Sequence, residues 1–148
     1  MDNSEHLTTG EILVFEHSFR ATPETIWKAL TDKESMKKWY FDIAAFKAEP
    51  GFDFEFSGGK DGRSYRHLCK VIEAQPNKKL CHSWRYDGYE GISYVTWDLS
   101  PEGTGTRLRL SHEGLKSFPA VPDFAIANFR EGWKHILHTG LVKYLGED

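Results

Sequence analysis

Cysteine is nearly absent from this chain of 148 residues: Cys69 and Cys81 are the only two. Two cysteines cannot form the disulfide framework of a small secreted domain. They fall on consecutive expected strands joined by Pro76-Asn77. Mirroring the register about that turn sets Cys69 opposite a residue near Arg85, about 13 Å along the strand from Cys81, too far for a bridge. No apolar run approaches the roughly 20 residues that span a bilayer. The opening MDNSEHLTTG lacks the apolar segment of a signal peptide, so a cytoplasmic location is expected. The net charge is only −3, which gives no general pull toward nucleic acid or anionic membrane. The pairs Lys37-Lys38 and Lys78-Lys79 are short and separate, and read as solvated surface. Gly58-Gly59-Lys60 lacks the spacing of a phosphate loop and reads as a hairpin turn. Repeats, linkers and low-complexity stretches are missing too, so one domain over 11–148 is expected, behind a frayed tail at 1–10.

Aromatics are what the chain has in excess. Ten Phe, six Tyr and five Trp make 14% of it, enough to fill a core or to line a pocket with flat apolar walls. Glu11 to Phe19 alternates as a strand, with Leu13, Phe15, His17 and Phe19 on one face. Thr22-Pro23-Glu24 is a helix start, with Thr as N-cap and Pro in the first helical position; that helix runs to about Thr31. Asp32 caps a second short helix through Lys38. Strands are then expected at Ile43–Ala48, Gly51–Ser57, Tyr65–Ala74, Leu80–Tyr86, Ile92–Ser100 and Thr106–Glu113, separated by Gly-, Pro- and Asn-bearing turns. The chain closes on an amphipathic helix, Pro122 to Leu145. Ile126, Phe129, Trp133, Ile136, Leu137, Gly140, Leu141 and Tyr144 share its inner arc, and Glu131, Lys134, His135 and His138 fall opposite. The order strand, two helices, six strands, helix is that of an α+β domain with helices gathered on one face of an antiparallel sheet.

Alternation assigns the inward side chains. Hairpin symmetry sets Trp84 opposite Ser93, His82 opposite Val95, Ser93 opposite His112 and Phe56 opposite His67. The row Trp84, Ser93, His112 and the neighbours Phe56, His67 and Tyr86 then lie toward the sheet end served by loops 58–64, 87–91 and 114–121. That end is the expected mouth of a chamber. The inward histidines His17, His67, His82 and His112 are the main candidates for proton or ligand chemistry. They sit on separate strands, so no metal site is expected of them. His135 and His138 read as solvated. No inward pair of carboxylates can be named, which argues against glycosidase or related acid–base hydrolysis. Ser111 and His112, as neighbours on a strand, face opposite ways.

The segment ATPETIWKALTDKESMKKWY resembles the start of START-like (SRPBCC) domains at Ala21, Pro23, Ile26, Trp27, Leu30, Thr31 and Trp39. GFDFEF, VIEAQPNKKLCHSW, SYVTWDLSPEGTGTRLRLSHEGL and NFREGWKHILHTGLVKYL resemble later segments of that superfamily. The nearest branch is AHSA, named for the activator of the heat-shock-protein-ninety ATPase. The resemblance spans about 11–145 and implies a helix-grip fold: a curved seven-stranded antiparallel sheet wrapped around the long C-terminal helix, with two short helices after the first strand. In the superfamily the cavity between sheet and helix takes lipids, sterols, hormones or polyketides, and a few members catalyse. The chaperone activator carries a separate N-terminal chaperone-binding domain, for which this chain has no room, so a chaperone partner is not expected.

The leading expectation is a hydrophobic small-molecule-binding protein with a modest pocket between sheet and helix. Trp84, His112 and Trp133 are its central contacts, with His67, Tyr86, Phe129, Phe56, Ser93 and Leu137 around them. No catalytic residue, metal or cofactor is assigned, and homo-oligomerisation is left open. The alternatives are a cyclase or hydrolase acting on an aromatic or polyketide-like substrate through an inward histidine, and a protein-binding module of stress or chaperone networks.

Overall fold

The computed structural model describes residues 12–60 and 63–147; the tail at 1–10 lies outside them. Strand β1 is Ile12–Phe19, and the helices α1 and α2 are Pro23–Thr31 and Lys33–Trp39. Both caps read from the sequence are formed. The Thr22 side chain accepts from the Thr25 N–H, and the Asp32 carboxylate accepts from the Ser35 N–H, satisfying donors that a first helical turn leaves open. The Trp39 indole N–H donates to the Ala29 carbonyl at 2.8 Å and ties α2 to α1.

Strands β2 (Asp53–Lys60), β3 (Arg63–Gln75), β4 (Lys79–Tyr86), β5 (Ser93–Glu102) and β6 (Gly105–Glu113) complete an antiparallel sheet in the order β1-β6-β5-β4-β3-β2. The described residues form six strands, not seven. The stretch 43–48 stays irregular: Ile43 and Phe46 turn inward three residues apart, while Ala44 and Ala45 between them face solvent. That is not strand periodicity, and Pro50 just beyond has no N–H to give to a ladder. Trp84 pairs with Ser93, His82 with Val95 and Phe56 with His67, as hairpin symmetry requires. The β5–β6 turn is centred slightly later than expected. His112 therefore faces Val95, two residues from the anticipated partner Ser93. A bulge at Ile72 breaks the β3–β4 register between Val71 and Glu73 and bends the sheet.

The C-terminal helix is not continuous. A 3-10 turn at Pro122–Phe124 and a break at Ala125 precede α3, Ile126–Lys134. A π-helical segment, His135–Val142, follows directly. In an α-helix residues four apart drift by about 40° per step; the wider i→i+5 turns reverse that drift. Phe129, Trp133, Leu137 and Leu141 thus stay buried, joined by Val142. Ile136 and Gly140 move to the flank, and Tyr144 is left exposed. At the far end the Glu147 carboxylate accepts from the backbone N–H groups of Arg20 and Ala21, clamping the helix to the end of β1.

Gly140 is where the helix meets α2. A Cβ there would stand 2.8 Å from the Trp39 carbonyl oxygen. Replacing a helical glycine with alanine ordinarily stabilises by about 1 kcal/mol. Gly140→Ala is expected to do the reverse, with a loss of about 1–3 kcal/mol from overpacking, read as a lower urea midpoint. A raised midpoint would show that this contact yields freely.

Candidate functional site

Trp133 drops from α3 onto the concave face of the sheet. Its ring centroid lies 5.5 Å from that of Trp84 and 5.8 Å from that of Trp97, so the centre of the groove is filled. The Trp133 indole N–H donates to His112 Nδ1 at 2.9 Å. A ring nitrogen that accepts carries no proton, so the neutral imidazole is protonated at Nε2. That nitrogen lies 2.7 Å from Ser93 Oγ, whose hydroxyl donates to the Trp84 carbonyl at 3.4 Å. Trp133, His112 and Ser93 are all buried. Burial pushes the His112 pKa down to about 3, with His82 and His67 adding to the shift. Ser93 and His112 do not make an activated nucleophile. The nitrogen facing the hydroxyl already holds its proton, and an indole stands where a triad has a carboxylate. His82 is equally inert: Nδ1 donates to the Ser83 carbonyl, and burial lowers its pKa to about 4.

Beside this tether opens a cleft of about 800 Å³. One wall is α2 and the residues after it, Trp39, Tyr40 and Phe41. The floor is Tyr65, His67, Trp84 and Tyr86 on β3 and β4, and the other wall is the helix, with Phe129, Trp133 and Ile136. Exposed Lys38, Glu131, His135, Thr139 and Lys143 form the rim. Gly132 on the helix wall has nothing within 4 Å of where a Cβ would stand, so its missing side chain leaves the space open. At Gly58 a Cβ would approach Phe41 to 2.8 Å, so the glycine lets that ring lie flat against the β2 edge. The Tyr65 hydroxyl donates to the Asp123 carboxylate and joins the sheet to the loop before α3.

Of the residues singled out in the sequence, Trp84, His67, Tyr86, Phe129 and Trp133 line the cleft. Ser93 and His112 lie beneath it in the tether. Leu137 is buried under the helix, and Phe56 sits behind the wall, stacked on His67 and Phe41 at 4.5 and 4.2 Å. Gly58, Gly59, Asp123 and Phe124 at the loop end of the sheet also line the cleft, and Phe118 and Phe124 pack there over Tyr86, at 5.2 and 4.6 Å. Tyr40, Phe41 and Gly132 escape a sequence reading: the first two fall in an aperiodic stretch, and Gly132 faces the cleft because of where the helix path runs, while Ile136, expected on the inner arc, lies at its flank. The Tyr40 hydroxyl is buried and has no hydrogen-bond partner among the described residues. Its burial, with Cys69 and Tyr86 nearby, holds that phenol neutral well above the usual range.

The sequence profile of the family described as "Activator of Hsp90 ATPase homolog 1-like protein" matches residues 20–146. Protein MLL2253 of Mesorhizobium loti is 28% identical, with a TM-score of 0.74 over 90% of this chain and 96% of its own. Protein CV1439 of Chromobacterium violaceum superposes with a TM-score of 0.79 at 21% identity, over 93% of this chain and 99% of its own. DynU16, a protein of the dynemicin biosynthetic locus, gives 0.73 at 22% identity over 91% of this chain and 47% of its own. No curated protein matches the sequence. No helix among the described residues is long and apolar enough to cross a membrane.

The buried histidines make stability depend on pH. His67 and His82 titrate near 4 and His112 near 3 in the fold, against about 6.5 in the unfolded chain. Between those values the unfolded chain binds more protons, so their contribution is complete above about pH 6.5 and declines as the pH falls toward 4. The urea midpoint is expected to drop from pH 7.5 to pH 5. Equal midpoints would mean that these rings titrate normally.

Proposed function

The chain belongs to the family of Activator of Hsp90 ATPase homolog 1-like proteins, and from that premise we propose that it binds a hydrophobic small molecule in the cleft between α2, the sheet and α3. The observation that carries this reading is the cleft itself. Its volume of about 800 Å³ lies within the range of sites that enclose drug-sized ligands. Its walls are largely aromatic, with a few polar groups set among them. The helix presents Gly132 toward the cleft, where a Cβ would meet no atom within 4 Å.

Binding without turnover fits the chemistry of the walls. His67 is neutral, His82 and His112 are bonded and buried beneath, and the carboxylate of Asp123 is engaged by Tyr65. None of these forms an acid–base pair across the cleft. The likeness to DynU16, a protein in the dynemicin biosynthetic locus, is at 22% identity a likeness of fold.

Filling the cleft tests the reading. Wild-type protein titrated with 1-anilinonaphthalene is expected to show quenched tryptophan fluorescence and a raised melting temperature, since Trp84 and Trp133 flank the site. Gly132→Phe, whose Cβ would meet no atom within 4 Å, should keep its own melting temperature and lose affinity by about tenfold or more as the ring occupies the ligand's place. Undiminished binding by Gly132→Phe would move the site elsewhere.

A further inference from the structure

The polar groups on the cleft floor specify the guest more narrowly. His67 Nδ1 lies 3.0 Å from the Tyr65 carbonyl oxygen. A carbonyl only accepts, so Nδ1 carries the proton and Nε2 presents a lone pair. The Phe56 backbone carbonyl also bonds this ring; it too can only accept, so neither carbonyl meets the Nε2 lone pair, and no donor among the described residues reaches it. Next to it, the Tyr86 hydroxyl accepts from the Trp84 indole N–H at 2.9 Å. Its own proton meets no acceptor among the described residues. The two rings are neighbours, with centroids 4.8 Å apart, and both line the cleft. One unspent acceptor and one unspent donor therefore stand side by side on an apolar floor.

Once a ligand excludes water from the cleft, hydrogen-bonding groups left unmet are costly, and a ligand that meets both gains the most. A carboxylate or ketone only accepts; it could take the Tyr86 proton but would set its lone pairs against Nε2. An ammonium only donates; it could meet Nε2 but would set its N–H groups against the Tyr86 proton. A hydroxyl does both through one oxygen atom. The flat stack of Phe41, Phe56 and His67 beside it suits a planar ring carrying that hydroxyl.

We propose that the guest of this cleft is a hydroxylated aromatic molecule, a phenol or naphthol in chemical type, whose hydroxyl donates to His67 Nε2 and accepts from the Tyr86 hydroxyl. The proposal rests on the cleft being a ligand site and adds the class of ligand. Burial keeps His67 neutral at ordinary pH, with a pKa of about 4, so the acceptor persists across the working range.

Three probes of similar size separate the possibilities: 2-naphthol, which donates and accepts; 2-methoxynaphthalene, which only accepts; and 2-methylnaphthalene, which does neither. Calorimetric titration of wild-type protein should rank 2-naphthol first. In His67→Phe, which keeps a ring stacked on Phe56, the ratio of naphthol to methylnaphthalene affinity should fall by about tenfold. Methylnaphthalene binding should stay within about twofold of wild type, since the apolar contact area is retained. Should His67→Phe fold poorly, the wild-type ranking and Tyr86→Phe, which removes the donor, carry the same test. A wild-type ranking with methoxynaphthalene or methylnaphthalene first, or a ratio unmoved by His67→Phe, overturns the hydroxyl assignment and leaves the apolar cleft standing. If none of the three binds wild-type protein, the cleft as a ligand site falls, and the hydroxyl assignment with it.

Discussion

The hydrogen bond from the Trp133 indole to His112 holds the rest in place. It is the point at which the long helix is pinned to the sheet by direction as well as by area. Apolar burial alone would let a helix slide or roll over a concave face, since the hydrophobic effect is non-directional. A buried donor meeting a buried acceptor permits one position. The bond also decides which nitrogen of His112 is protonated, and through it the orientation of the Ser93 hydroxyl toward the Trp84 carbonyl. Four elements, α3, β6, β5 and β4, thus share one polar thread inside an otherwise apolar core. Because Trp133 reaches the sheet fully, the empty space lies to one side of it, next to α2.

Much of this architecture was legible in the residues. Period-two alternation located β1 and β3 to β6, and their hairpin turns set most registers within a residue. Thr22 and Asp32 marked both short helices because capping is a local hydrogen-bond requirement, visible without any tertiary contact. The limits were equally physical. Ile43 to Ala48 is rich in apolar residues, but its burial is set by which side chains meet the helices and the β2 edge, a tertiary matter. The π-helical turns after Lys134 cannot be inferred from a period, since the period itself changes there. That change moved Ile136 and Gly140 from the expected inner arc to the cleft flank and brought Val142 inward.

The candidate site was half legible for the same reason. Residues on regular strands, Trp84, Tyr86 and His67, fall where alternation puts them. Tyr40 and Phe41 reach the cleft from a segment with no repeat, so nothing in their spacing announces them. His112 and Ser93 were correctly turned inward, and the structure gives them a role as fasteners. A histidine on an inward face has two ways to be satisfied, by a neighbour or by a guest, and only the position of Trp133 distinguishes them.

The pairing of β1 with β6 bears on the order in which the chain can fold. Ile12 finds its partner at Glu113, about a hundred residues later, and the clamp on Arg20 and Ala21 waits for Glu147. Contacts so distant in sequence slow folding, because a large loop must close before they bring any gain. During synthesis the strand carrying Leu13, Val14 and Phe15 is made well before β6 and stays without its ladder until that strand follows. The hairpins from β2 to β6 can form beforehand. β1 is thus sheltered long after it is made, and for that interval it is open to pairing with the wrong chain.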